Sequence, residues 1–264
     1  MKILNFLFSR SKQEQDKPIR DKLKTRKDFE RVLAEDLDIM ETTKARMDTA
    51  KNINLYMYRS LSYSYILILQ SKYSVDAKID ELRDIYIKSM HYFLQAFNKR
   101  NPIYADILNY VSLGVLLNIP DDNFRQLIDY VKQMDKQAKP SGWTPDLLLW
   151  FMLNSRLKEQ EKLKYAETLA YPRLYNGLYK VIQAPNAAAA KDALSKYLDR
   201  WYNLNSNAPW YNSHLKDNSY RGYWAWEVAA VAKIMHIDDS DLKNNQYYPY
   251  DMVHWADNET TAKE

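Results

Sequence analysis

Only four glycines occur in this chain of 264 residues (Gly114, Gly142, Gly177 and Gly222), and that scarcity constrains the fold more than any other feature. Average usage is about 7%. β-Hairpins and strand-to-helix loops need backbone at positive φ, which glycine supplies without steric cost. A chain so poor in glycine is expected to be built of helices with short connections. Leu, Ala, Lys, Glu, Gln and Met, all good helix formers, are plentiful. The expected fold is all-α, a multi-helix bundle in two parts.

Apolar periodicity places the helices. From Asp28 onward, Phe29, Val32, Leu33, Leu37 and Met40 recur at helical spacing. Further helices are expected over about 50–72 and 76–99, with Asn101-Pro102 ending the latter. The apolar run 103–118 follows, then a helix from the Asp121-Asp122 turn to Lys136. The segment 136–146, KQAKPSGWTPD, is polar and carries two prolines and a glycine, so it reads as the boundary between the halves. Thr144, Pro145 and Asp146 then read as cap, first position and first-turn acid of an apolar, buried helix. Beyond it the pattern predicts helices over about 159–170, 172–183, 187–204 (capped by Asn186), 220–234 and 249–255. The division expected is a basic arm over 1–25, helical domains over 26–138 and 139–257, and a tail over 258–264.

Charge is distributed unevenly. Residues 1–27 hold nine Lys/Arg against three acids, whereas 205–264 hold nine acids against five bases. Neutralising several phosphates requires a positive face, so the body of the chain is not expected to bind nucleic acid directly. An acidic end suits a basic protein partner instead. No apolar stretch approaches the roughly 20 residues that span a bilayer. The opening MKILNFLF could lie on a membrane surface or on a partner. There is no cysteine, so thiolate chemistry and disulfides are excluded. That composition suits the cytoplasm.

The sequence offers no convincing catalytic constellation. None of His91, His214, His236 and His254 lies in a close metal-ligand pair. The acids Asp238, Asp239, Asp241 and Asp251 near His236 lack the glycine and terminal glutamate of a calcium loop, and read as a solvated acidic turn. No nucleophile elbow or phosphate-cradling loop is present. No cofactor or metal is implied.

One carboxylate stands out. In YRGYWAWEVAAVAKI (220–234), Glu227 interrupts an otherwise aromatic and apolar run. On a helix, Tyr220, Tyr223, Trp224, Glu227 and Val231 would share one stripe. A buried carboxylate must be paired, hydrogen-bonded or protonated, and Tyr hydroxyls, Trp N–H groups, Arg221, Arg200 or Arg173 could serve. With no second acid or base beside it, Glu227 reads as a structural anchor. The 22 Tyr and 7 Trp are divided between core packing and loops, where they pin the chain or anchor a partner.

The stretch 210–253 resembles the C-terminal domain of the PoNi immunity proteins, cognate inhibitors of PoNe-type DNase toxins used in bacterial competition. The residues that carry the resemblance are Tyr220, Gly222, Tyr223, Trp224 and Glu227, then IDDSDL (237–242), then YYPYD from Tyr247 to Asp251. The first half fits the family by position. The resemblance implies an all-helical fold in two parts, no catalytic residues, and a partner that is the toxin's DNase domain. The expected contact surface is Trp143, Tyr211, Asp217, Asp238, Asp239, Asp241 and Tyr248, with Tyr220 to Glu227 as scaffold. The net charge of +4 argues for docking over or near the nuclease active site rather than DNA mimicry. Two other readings stay open. One is a helical metal-dependent enzyme using Glu227 with His236 or His254. The other is a nucleic-acid or membrane adaptor using the basic arm.

Overall fold

The computed structural model describes residues 18–97, 103–136, 143–216 and 219–256. Ten α-helices and three 3₁₀ turns account for its regular structure, and no strand occurs among the described residues. The all-α expectation holds. The chain forms two compact units, and the first is assembled from two separate pieces: residues up to Phe97, together with Asn212–Tyr223. The second unit takes the intervening stretch up to Tyr211 and the chain from Trp224 onward.

In the first unit, α1 (Arg26–Thr49), α2 (Leu55–Val75) and α3 (Ile79–Phe97) pack in sequence order. A capping box starts α1: Thr25 accepts from the Asp28 amide while Asp28 accepts from the Thr25 amide at 3.0 Å. Asn54 caps α2 by accepting from Met57 N at 3.0 Å. Leu33 and Met40 of α1 meet Leu61, Tyr65 and Ile68 of α2 in a buried cluster. Small residues bring α2 and α3 together, and Ser89 Oγ donates to the Ser62 carbonyl at 2.8 Å. Residues 18–25, part of the predicted arm, are bound to this unit. The Arg20 amide donates to Val75 O, its guanidinium to Tyr73 O and Ala77 O, and Asp21 is buried. Residues 1–17 of that arm lie outside the described residues.

The second unit contains α4 (Tyr104–Leu116), α5 (Asp121–Lys136), α6 (Leu147–Asn154), α7 (Pro172–Ile182), α8 (Ala187–Leu204), α9 (Trp226–Met235) and α10 (Tyr250–His254). Helix α9 packs on α4, α6, α7, α8 and α10, so it is the hub. Its Val228, Ala229, Ala230, Val231 and Ala232 are all fully buried, and the short side chains let several neighbours approach.

Three sequence expectations need correction. The helix expected over 220–234 begins only at Trp226. Gly222 lies at φ 106, and the Ala225 amide donates to Tyr247 O at 2.8 Å, so residues 219–225 run without helix and the proposed Tyr220–Val231 stripe does not form. The segment 159–170 holds only the 3₁₀ turn Glu159–Glu161, because tertiary partners take its backbone groups. Asn154 clasps both the N–H and the C=O of Leu163, and the Ala170 amide donates to Asp146. Finally, Asp146 rather than Thr144 caps α6, accepting from Leu149 N at 2.9 Å.

Candidate docking surface and the carboxylates beneath it

Lys191 of α8 bridges two exposed acids that follow α9. Its Nζ stands 2.7 Å from Asp238 and 2.8 Å from Asp241. Asp238 also accepts from the Ser240 hydroxyl and amide at the start of the 3₁₀ turn Ser240–Leu242. Lys191, and after it Ser240, hold the Asp238 carboxyl well below its ordinary range, and the same contacts raise Lys191. Asp238 is therefore an ionised surface group, and Lys191 holds both acids at fixed positions.

Near the end of α8 lies an aromatic terrace. Tyr202 stacks on Tyr211 (centroids 4.5 Å apart) and on Tyr247 (5.3 Å, interplanar 6°). Trp201 stacks on Trp210 at 5.4 Å and leans on Tyr247. Tyr202, Trp210, Tyr211 and Tyr247 remain half-buried, so the terrace has an accessible edge.

The remaining predicted contacts fall elsewhere. Trp143 is 6% exposed and donates from Nε1 to Asp135 at 2.7 Å. Tyr248 and Asp239 are each 2% exposed, and Tyr248 donates to Asp239 at 2.6 Å. His254 Nε2 completes that group at 2.8 Å from the other Asp239 oxygen. These three predicted contacts are internal, their side chains almost wholly shielded from solvent. Asp217 lies outside the described residues.

The scaffold residues take specific roles. Tyr220 donates to Asp21 within the first unit, where burial foremost raises the Asp21 carboxyl and this hydrogen bond opposes the rise. Tyr223 accepts from the His214 amide at 3.0 Å. Trp224 is buried in the second unit. Glu227 accepts from Trp201 Nε1 at 2.6 Å. It keeps some accessible surface as a residue, but its carboxyl is densely surrounded, and desolvation pushes its pKa from 4.5 up to about 7. Tyr104, Tyr175 and Tyr197 lie close enough that its charge adds to the burial raising their hydroxyls. Arg221, one of the partners considered for Glu227, instead pairs with Asp36. His254 is engaged by Asp239, and His236 is the exposed C-cap of α9, so neither is bonded to Glu227.

A pattern that the sequence did not announce now emerges. Asp21, Asp135, Asp146, Asp239 and Glu227 each accept a hydrogen bond from a Tyr hydroxyl or Trp N–H: Tyr220, Trp143 with Trp150, Tyr104, Tyr248 and Trp201 respectively. Carboxylates clamped by aromatic donors satisfy buried polar groups without unpaired charge on the donor side. No group of three His, Cys, Asp or Glu arranged to hold a metal occurs among the described residues. No described helix is long and apolar enough to cross a membrane.

These features define an all-helical protein whose interior carboxylates are met by aromatic donors, with two exposed acids at Lys191 and an aromatic stack near the end of α8. Two family descriptions match it: "PoNe immunity protein (PoNi), N-terminal" over residues 11–129 and "PoNe immunity proteins (PoNi), C-terminal" over 144–252. The chain belongs to the PoNi family of PoNe immunity proteins. The crystal structure of protein PA2201 from Pseudomonas aeruginosa is similar in fold, with a TM-score of 0.69 at 18% identity over 97% of this chain and 95% of that one. A search of curated proteins finds no match.

Proposed function

We propose that this protein binds the nuclease domain of a cognate PoNe toxin and blocks DNA cleavage by docking over or near the active site. The observation that carries the reading is the pair of family matches, which together reach from residue 11 to residue 252. A nuclease must present positive charge to its DNA, and an acidic, aromatic edge suits such a surface. Asp238 and Asp241 offer fixed negative charge, and Tyr211 offers contact area from a pre-ordered stack. Asp217 joins them by its place in the sequence. Of the other expected contacts, Asp239 and Tyr248 are joined to each other and Trp143 to Asp135, each in the interior. The action is that of a non-enzymatic inhibitor in the cytoplasm, where the toxin meets DNA. A net charge of +4 favours local docking over imitation of a polyanion.

Co-expression tests the reading. The protein should rescue growth of cells that produce the toxin's nuclease domain, and should co-purify with a catalytically inactive form of that domain. Failure of both would sink the proposal.

A further inference from the structure

From Trp224 to Ala232 every residue is buried except Glu227, which keeps accessible surface. Desolvation is nonetheless the main influence on its carboxyl. A group that is both hemmed in and reachable lies at the bottom of a narrow recess.

Four helices of the second unit build this recess. Trp201 of α8 donates from Nε1 to Glu227 of α9 at 2.6 Å. Tyr104 of α4, Tyr175 of α7 and Tyr197 of α8 stand around the carboxyl; burial raises their hydroxyls, and the Glu227 charge adds to the rise. Tyr104 donates to Asp146 at 2.9 Å. Tyr175 and Tyr197 are 7% and 4% exposed, and neither hydroxyl has a hydrogen-bond partner among the described residues. Buried polar groups ordinarily find partners, so two such hydroxyls beside one carboxyl mark a place built for something else.

The chemistry of that occupant follows from the charges. No Lys, Arg or His is bonded to Glu227 among the described residues, and its only side-chain donor is Trp201. Asp146 adds a second negative charge at Tyr104 and Tyr175. A recess that is negative, aromatic and supplied with open acceptors suits a guanidinium or ammonium group. It also adjoins the aromatic terrace, because the Trp201 ring stacks on Trp210 and leans on Tyr247 while its Nε1 reaches Glu227. A nuclease holds phosphates with Lys and Arg side chains, which are the cations at hand.

We propose that the Glu227 recess receives one Lys or Arg side chain from the DNA-binding surface of the nuclease, with Glu227 as counter-ion and the Tyr175 and Tyr197 hydroxyls as further acceptors. This rests on the reading of the protein as a nuclease inhibitor. The inserted side chain anchors the complex and is withdrawn from DNA.

Calorimetric titration of the full chain with the catalytically inactive nuclease domain, in two buffers of different ionisation enthalpy, counts the protons exchanged. The Glu227 carboxyl, raised to about 7, is near half-protonated at pH 7. Pairing with a cation ionises it, so about half a proton should leave per complex at that pH. Glu227→Gln should abolish this release and weaken binding about 30-fold or more. Tyr175→Phe keeps the ring and should weaken binding about three- to tenfold. Thermal unfolding shows whether each variant is folded. In the free protein, methylguanidinium chloride should shift the Trp201 indole N–H resonance relative to sodium chloride, and Glu227→Gln should lose the response. Equal affinity and equal proton release in wild type and Glu227→Gln overturn the proposal and leave the inhibitor reading standing. A methylguanidinium response that is absent from wild type, or that survives in Glu227→Gln, overturns it too. A nuclease domain that binds neither protein overturns the inhibitor reading and this proposal with it.

Discussion

Arg221 holds Asp36 with two parallel hydrogen bonds, Nε to Oδ2 at 2.7 Å and Nη2 to Oδ1 at 2.8 Å, across 185 positions of sequence. Both side chains are buried, at 9% and 2% exposure. Burial nevertheless raises the Asp36 carboxyl, the loss of water outweighing the attraction of the guanidinium. Removing either partner of such a pair leaves an uncompensated buried charge.

Arg221→Met should strip Asp36 of its counter-charge and destabilise the protein by about 3–5 kcal/mol. Asp36→Leu combined with Arg221→Met should recover most of that loss, since neither residue then buries a charge. Urea unfolding of the two variants checks both statements. A double variant as unstable as the single one would show that the ion pair is a net stabiliser.

Glu227 makes stability depend on pH. Its pKa rises from 4.5 to about 7 in the folded protein, so folding favours the protonated form. The stabilisation from proton uptake is fully present below the unfolded pKa and is lost as pH rises through the folded one. The second unit should lose on the order of 3 kcal/mol from this group between pH about 4.5 and about 7.5. Glu227→Gln keeps an acceptor for Trp201 and should remove that component. The difference in unfolding free energy between wild type and variant, followed across this pH range, should grow with pH in favour of the variant. Asp21, Asp36 and Asp146 are also raised, but they are common to both proteins and cancel.

Gly177 on α7 faces Tyr197 on α8. A Cβ there would overlap the ring of Tyr197, which is buried, so the ring would have to shift. Gly177→Ala should cost about 1–3 kcal/mol despite alanine's better helix propensity. A shift in the thermal midpoint reports it, and Tyr197→Leu in the same chain should relieve part of the loss.

Asp238→Asn with Asp241→Asn should slow association with the toxin nuclease domain about three- to tenfold at low salt, with the effect shrinking as salt rises. Stopped-flow or surface-binding kinetics at two ionic strengths would show it. Equal association rates at low salt would remove these acids from the docking surface.

Helix type and order were legible because the apolar period in 28–40, 103–118 and 187–204 is strong. Asn186 also caps its helix as its sequence position suggests, accepting from Ala189 N at 2.9 Å. Residues 220–225 misled because Tyr, Trp and Ala fit a helical stripe, while Gly222 at positive φ and the Ala225–Tyr247 hydrogen bond commit them to a non-helical path. That commitment depends on a partner 22 positions away, which no local pattern encodes. That Glu227 needs a donor was legible because an acid in an apolar run demands one, although its identity as Trp201 was not. The aromatic clamps on Asp135 and Asp239 were hidden for the same reason: a loop Trp or Tyr looks alike in sequence whether its polar end points inward or its face points outward. Trp143 and Tyr248 therefore read as contacts.

The assignment of residues 212–223 to the first unit has a bearing on biogenesis. Asp21 and Asp36 emerge from the ribosome early, but the Tyr220 hydroxyl and Arg221 guanidinium that satisfy them are synthesised after α8. The helices α1 to α3 can collapse as they appear, and Asp21 finds its first donors locally in the Leu23 and Lys24 amides, but Asp36 lacks the Arg221 guanidinium until the chain has grown past α8. A nascent chain arrested before residue 220 would carry an incomplete first unit with that acid unmatched.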